Sequence, residues 1–187
     1  MEYASTNRVE PAARRRITTS TGGHRMMNGE EREAFALQVM KEVRRWPGVQ
    51  LRPHENPLAE DSEDGVEFRL YGRQIGHIHH DCAVHLSLTR ALKQMVLEQS
   101  RAVALVQAGS AGWVAFMPEL LDDAQRAIWL LRLNYVRLRR QRLSPDAAAA
   151  SELLREHEGA LGELTPSMAT VLRRTQARPP RQLPPMG

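Results

Sequence analysis

The chain has 187 residues, room for one ordinary domain with tails, so large multidomain architectures are excluded. Hydrophobic content of 42% beside 26% charged residues is that of a globular protein, and with three Trp, three Tyr and three Phe its core has to be mostly aliphatic. The formal charge of +4 comes from 26 basic residues, of which only Lys41 and Lys93 are Lys, against 22 acidic ones, and the excess lies in the tails rather than across a domain face, where a nucleic-acid footprint belongs.

Residues 1–28 are rich in Ser, Thr, Gly and Arg, show no helical or strand period, and read as a disordered basic tail. EEREAFALQVMKEVRRW places Phe35, Val39, Val43 and Trp46 at helical spacing, and Pro47-Gly48 ends that helix. Val49 to Arg52 alternates as a short strand, which Pro53 confines to a sheet edge. NPLAEDSEDG follows as an acidic loop. GVEFRLYGRQIGHIHHD then gives two alternating runs about Gly72, a hairpin. SLTRALKQMVLEQSRA carries Leu88, Leu92 and Met95 on one helical stripe, with Ser87 as its N-cap. Val103 to Gln107 and Trp113 to Met117 flank AGSAG as a second hairpin. Pro118 opens a long helix with Asp122 and Asp123 in its first turns, Arg137, Arg139 and Arg140 in its last, and the core stripe Ile128, Leu131, Tyr135, Leu138. Ser144-Pro145-Asp146 and Thr165-Pro166 each announce a further helix, and the Pro-rich end is extended.

This order of helix, strand, hairpin, helix, hairpin, helix predicts an α+β domain over residues 29–142. A small antiparallel sheet of about five strands is covered by three helices, and residues 143–187 form a C-terminal helical extension and tail. No apolar run is long enough for a membrane span and no signal-peptide core opens the chain, which points to the cytoplasm. The single cysteine, Cys82, excludes an intramolecular disulfide framework and reads as a small buried hydrophobe.

The chemistry-bearing residues gather on the first hairpin. With Gly72 and Arg73 as the turn, Phe68 opposes His77 and Val66 opposes His79, so both imidazoles share a face with Phe68, Leu70 and Ile75. Glu67, Arg69 and Tyr71 look the other way, and a turn of different length inverts the assignment. Three readings of His77-Ile78-His79-His80-Asp81 stand side by side. The imidazoles serve as acid/base groups in a polar pocket. Alternatively they ligate a metal, with Asp81, His85 or His54 as the third group. Otherwise they are structural histidines satisfied by backbone carbonyls. No nucleophile elbow, phosphate-binding glycine loop or dinucleotide fingerprint is present.

WPGV at 46–49, GVEFRLYGRQIGHIHHD at 65–81, GWVAF at 112–116 and AIWLLRLNY at 127–135 together resemble the luciferase-domain family, over roughly residues 36–138. This family takes its name from fungal luciferases. The resemblance implies an α+β domain that binds a small molecule and, by the fungal members, oxidises an aromatic hydroxypyrone-type compound with molecular oxygen and no known organic cofactor. It carries over His77 and His79 as catalytic groups and Glu67, Arg69 and Trp113 as substrate-binding ones. The chain departs from the family pattern at LVQAGSAGW, which holds no histidine before Gly112-Trp113. No cofactor is expected, a metal at His77 and His79 being the alternative. The rival function is a protein or nucleic-acid interaction module using Arg137, Arg139, Arg140, Arg142 and the basic N-terminal arm.

Overall fold

A computed structural model describes residues 27–55, 63–105, 111–143, 147–162 and 164–174. The predicted N-terminal tail up to residue 26, the Ser144-Pro145-Asp146 signal and the Pro-rich end lie outside the described residues. Helix α1, Gly29–Val43, starts at Asn28, whose side chain accepts from the Glu31 amide while the Glu31 carboxylate accepts from the Asn28 amide, both at 2.9 Å. That reciprocal cap satisfies two backbone donors a helix start otherwise leaves open. The helix buries Phe35, Val39 and Val43 of the predicted stripe, while Trp46, the fourth expected member, is buried just beyond the helix end.

Six strands follow in one antiparallel sheet: β1 Val49–Glu55, β2 Glu63–Leu70, β3 Arg73–Ile78, β4 Val84–Ser87, β5 Val103–Ala104 and β6 Trp113–Phe116. Their spatial order is β1-β2-β3-β4-β6-β5. Strand β1 lies at one edge and carries Pro53, as its missing amide donor requires. Helix α2 spans Arg90–Glu98 and α3 spans Ala124–Arg142, with α4 Ala147–Leu161 and α5 Pro166–Arg174 after it. The α+β class therefore holds, with one strand beyond the expected number, and the C-terminal extension forms the two further helices expected of it. Strand β4 is the addition. Ser87 ends that strand, and the cap of α2 is Thr89, whose side chain accepts from the Leu92 amide. Helix α3 begins later than expected because Leu121–Asp123 forms a 3-10 turn, where Asp123 accepts from the amides of Glu119 and Leu120.

The core lies on one side of the sheet. Phe68, Leu70, Ile78, Val84, Leu86, Val114 and Phe116 pack with Leu130, Leu131 and Tyr135 of α3 and with the buried stripe of α1. Gly76 is where helix and sheet come closest: an added Cβ would stand 2.7 Å from Leu131 Cδ2 and 2.8 Å from the His85 carbonyl oxygen. Its neighbour His77, alternating along the strand, points away from α3.

The hairpin register decides which residues face the core, and it differs from the expected one. The turn residues are Tyr71 and Gly72, with Leu70 opposite Arg73 and Arg69 opposite Gln74. The ladder then shifts by one, so that Phe68 opposes Gly76, Glu67 opposes His77 and Val66 opposes Ile78. Ile75 is the extra residue, a β-bulge. The predicted sharing of a face between His77 and the apolar trio Phe68, Leu70 and Ile75 is thereby corrected, since one residue of slip moves every later side chain to the other face.

A residue of α3 stabilises the bulge. The buried side chain of Asn134 donates from Nδ2 to the Ile75 carbonyl and accepts at Oδ1 from Arg137 Nε at 2.7 Å. Asn134→Ala strands a buried carbonyl and a buried guanidinium N–H, so we expect it to cost about 3 kcal/mol in urea denaturation. A loss under about 1 kcal/mol would mean that other contacts hold the bulge.

Candidate functional site

On the sheet face turned away from α3, four histidines from three strands and a turn come together. His77 is in β3 and directly opposes His85 of β4. His79 follows β3 in the tight turn to β4, where its amide donates to the Ala83 carbonyl at 2.9 Å and Asp81 Oδ1 accepts from the Ala83 amide. His54 arrives from β1 and stacks flat on His77, centroids 3.7 Å apart and planes 12° apart. Together with His79, His85 and Trp113 this stacking leaves His77 only 5% exposed.

The nitrogens converge. His77 Nε2 lies 3.0 Å from His79 Nε2 and 3.3 Å from His85 Nδ1, and the latter two are 3.0 Å apart. Their outer edges are held from behind: His79 Nδ1 donates to Asp64 Oδ2 at 2.8 Å, and the Gln74 side-chain amide meets His77 Nδ1 at 2.7 Å. His54, His77 and His79 also each offer a nitrogen within 4.8 Å of the others'. Trp113 of β6 sits beside them, its ring 5.6 Å from that of His77.

The electrostatics follow from this crowding. Burial first, then the neighbouring imidazoles His54, His79 and His85, pushes His77 down to about 2. Burial and His79 push His85 down to about 4. Burial also lowers His54, with Glu67 and Asp64 opposing in part. The hydrogen bond from His79 holds the Asp64 carboxyl below its ordinary range. At neutral pH, His77 and His85 are therefore neutral imidazoles with one lone pair each.

Of the residues singled out from sequence, the structure brings His77, His79 and Trp113 together. Glu67 opposes His77 on the same face, and Arg69 stands next along β2, its Nε 3.4 Å from Glu67 Oε1. That nitrogen is buried and makes no hydrogen bond among the described residues. His80 turns outward to the Glu63 carbonyl. Cys82 is buried, with Sγ donating to the Arg32 carbonyl, and burial raises its pKa, the behaviour of an inert thiol. Asp64 is the residue that sequence reasoning missed. It stands in a stretch read as acidic loop, whereas Glu63 and Asp64 open β2. Its only sequence signal is that β2 would have to extend upstream for His79 to meet a partner.

A cavity of about 500 Å³ reaches His79 and His80 from the side of α1, between Arg32 and Met40 on the helix and Val66 and Ile78 on the sheet. The arginines at the end of α3 are engaged internally. Arg137 donates to Asn134 and the Ser87 carbonyl, Arg140 to the Arg173 carbonyl, Arg139 pairs with Glu156, and Arg142 lies 5.0 Å over the Tyr71 ring. No helix among the described residues is long and apolar enough to cross a membrane.

Residues 72–134 match the family model described as Luciferase domain. The matched stretch runs from the hairpin turn to Asn134, about a third of the chain, and contains His77, His79, His85 and Trp113. His54, Asp64, Glu67 and Arg69 stand before it, and the match is narrower than the resemblance drawn from motifs. No curated protein matches the chain. No solved structure matches it either.

Proposed function

We propose that this is a small-molecule-binding protein of the cytoplasm that oxygenates an aromatic hydroxypyrone-type compound without an organic cofactor. The observation that carries the reading is the Asp64–His79 pair: a carboxylate fixes the imidazole by Nδ1 and turns Nε2 toward the neutral imidazoles of His77 and His85, with Trp113 beside them. Such a compound has an acidic hydroxyl. His79 Nε2 accepts its proton, the O–H bond breaking as the N–H forms, and the Asp64 carboxylate stabilises the imidazolium. The oxyanion left behind is electron-rich, and molecular oxygen is its oxidant. Arg69 and Glu67, paired at 3.4 Å, are polar groups for the ligand's carbonyl and hydroxyl edges, and Trp113 is a flat partner for its ring. The interaction-module alternative draws no support from arginines already committed to internal carbonyls, carboxylates and rings.

The test is oxygen consumption with a panel of hydroxypyrones and polyphenols, with binding followed in parallel by Trp fluorescence. Oxygen uptake matched to loss of the compound is expected. His79→Ala should lower kcat by about 100-fold or more, as expected for removal of a positioned acid/base group. If no member of the panel binds or is consumed, the reading fails.

A further inference from the structure

From the three converging nitrogens we infer that His77, His79 and His85 form a binding site for one divalent first-row transition ion such as Zn2+ or Fe2+. This inference deepens the proposed function, since it names what would hold the ligand's oxyanion, but its argument stands on the trio's own geometry.

An imidazole nitrogen has one in-plane direction, used by a lone pair or by a proton. Three such nitrogens at 3.0, 3.0 and 3.3 Å from one another aim at a common point. Hydrogen bonds satisfy that triangle poorly, because a proton on one nitrogen has to be shared between two acceptors. A cation at the common point satisfies all three. Nitrogen ligands at about 2.0 to 2.1 Å in tetrahedral array stand about 3.3 to 3.4 Å apart, so the triangle is close to coordination spacing and closes on an ion by opening a few tenths of an ångström. The rings stand steeply to one another, at 80°, 73° and 68°, as imidazoles fanned around one axis do.

The surroundings suit the assignment. The Asp64 carboxylate can only accept from His79 Nδ1, which leaves Nε2 with its lone pair, the carboxylate–histidine arrangement that orients metal ligands. Gln74 reaches His77 Nδ1, and by turning its amide it presents oxygen to an Nδ1–H, which frees Nε2 in the same way. His54 also lies within ligand range. Its ring, however, is parallel to that of His77 and 3.7 Å above it, so the two in-plane lone pairs run side by side and do not meet. It walls the site instead. Three neutral nitrogens with a fourth position open favour a borderline ion over Mg2+ or Ca2+, which take oxygen ligands. With the ion bound, His79 Nε2 is a ligand, and hydroxide at the open position would take the ligand's proton in its place, leaving the oxyanion on the ion and releasing water.

Untagged full-length protein freed of metal with a chelator and titrated with Co2+ tests this, with visible absorption and elemental analysis as readouts. One equivalent bound per chain, with the intense visible bands of nitrogen-ligated tetrahedral Co2+, is the expected result. His79→Ala and His85→Ala should abolish it, and His80→Ala should not. Asp64→Asn, which keeps every ligand, should weaken binding by about 10- to 100-fold. Circular dichroism and thermal midpoints of the metal-free variants separate a lost site from a lost fold. No binding by the wild type, or binding unchanged in folded His79→Ala and His85→Ala, overturns the site. Oxygen uptake by metal-free protein with no Co2+ binding would leave the proposed function standing and remove the metal. Stoichiometric Co2+ with no uptake would do the reverse.

Discussion

Lowering the pH from about 7 to about 5 in the presence of chelator should destabilise the fold by about 2 kcal/mol through His77 alone. His77 has an ordinary value of 6.5 and is held near 2 in the folded protein by burial and by His54, His79 and His85. Between these values the unfolded chain binds a proton that the folded chain does not, so folding stability rises with pH. The stabilisation is fully present above 6.5 and drains away as the pH falls below it. His85, held near 4, adds loss of the same sign, tempered because it is only partly buried, and His54 adds more in the same direction. The carboxylates facing the cluster, Asp64 and Glu67, moderate the effect without changing its sign. For a chain of this size about 2 kcal/mol corresponds to a fall in Tm of roughly 4 to 8 °C. His77→Gln removes one of the titrating groups, and the slope of stability against pH should flatten by about 1 kcal/mol per unit on average in that window. Equal slopes for wild type and variant would show that His77 titrates as it does in an unfolded chain.

The same residue shows where the sequence stops being informative. Alternation about Gly72 was enough to find the hairpin, and the helical stripes and caps were enough to find α1 and α3. Family motifs and the pairing of His77 with His79 on one face were likewise legible. Which face was not. That choice depends on the bulge at Ile75, and the bulge depends on a carbonyl satisfied by Asn134, 59 residues further along the chain. No local pattern encodes such a partner, and Asn134 itself looks like one polar position in an apolar stripe. Strand β4 escaped notice for another reason. Four residues give too short an alternation to stand out between HHDC and the following helix. His54 and His85 could be named as candidate third ligands, but their distances from His77 are tertiary facts set by the β1–β2 and β3–β4 ladders. Asp64 was hidden because acidic residues before a strand read as solvated loop.

The placement of Asp64 leads to the second large effect: Gly65→Ala should destabilise the protein by about 4 kcal/mol and detach Asp64 from His79. Gly65 adopts φ of +126°, a conformation essentially confined to glycine, and the partner strand passes very close. A Cβ there would lie 1.9 Å from the Ile78 carbonyl oxygen and 2.8 Å from His79 Cα. Both are backbone atoms, so no side-chain rotation relieves the clash. The two strands have to separate at the point where β2 delivers Asp64 and β3 delivers His79. Gly72→Ala is the matched control. Its φ is also positive, at +77°, but nothing lies within 4 Å of the added carbon, so conformational strain alone should cost about 1 kcal/mol. The difference between the two variants in urea denaturation isolates the close approach from the backbone preference. In Gly65→Ala protein that still folds, Co2+ affinity should fall at least as far as in Asp64→Asn, because the carboxylate is lost as a partner of His79 together with the register that presents it. Equal costs at the two glycines would show that the strands have room to spare at Gly65, and that the position of Asp64 is set elsewhere.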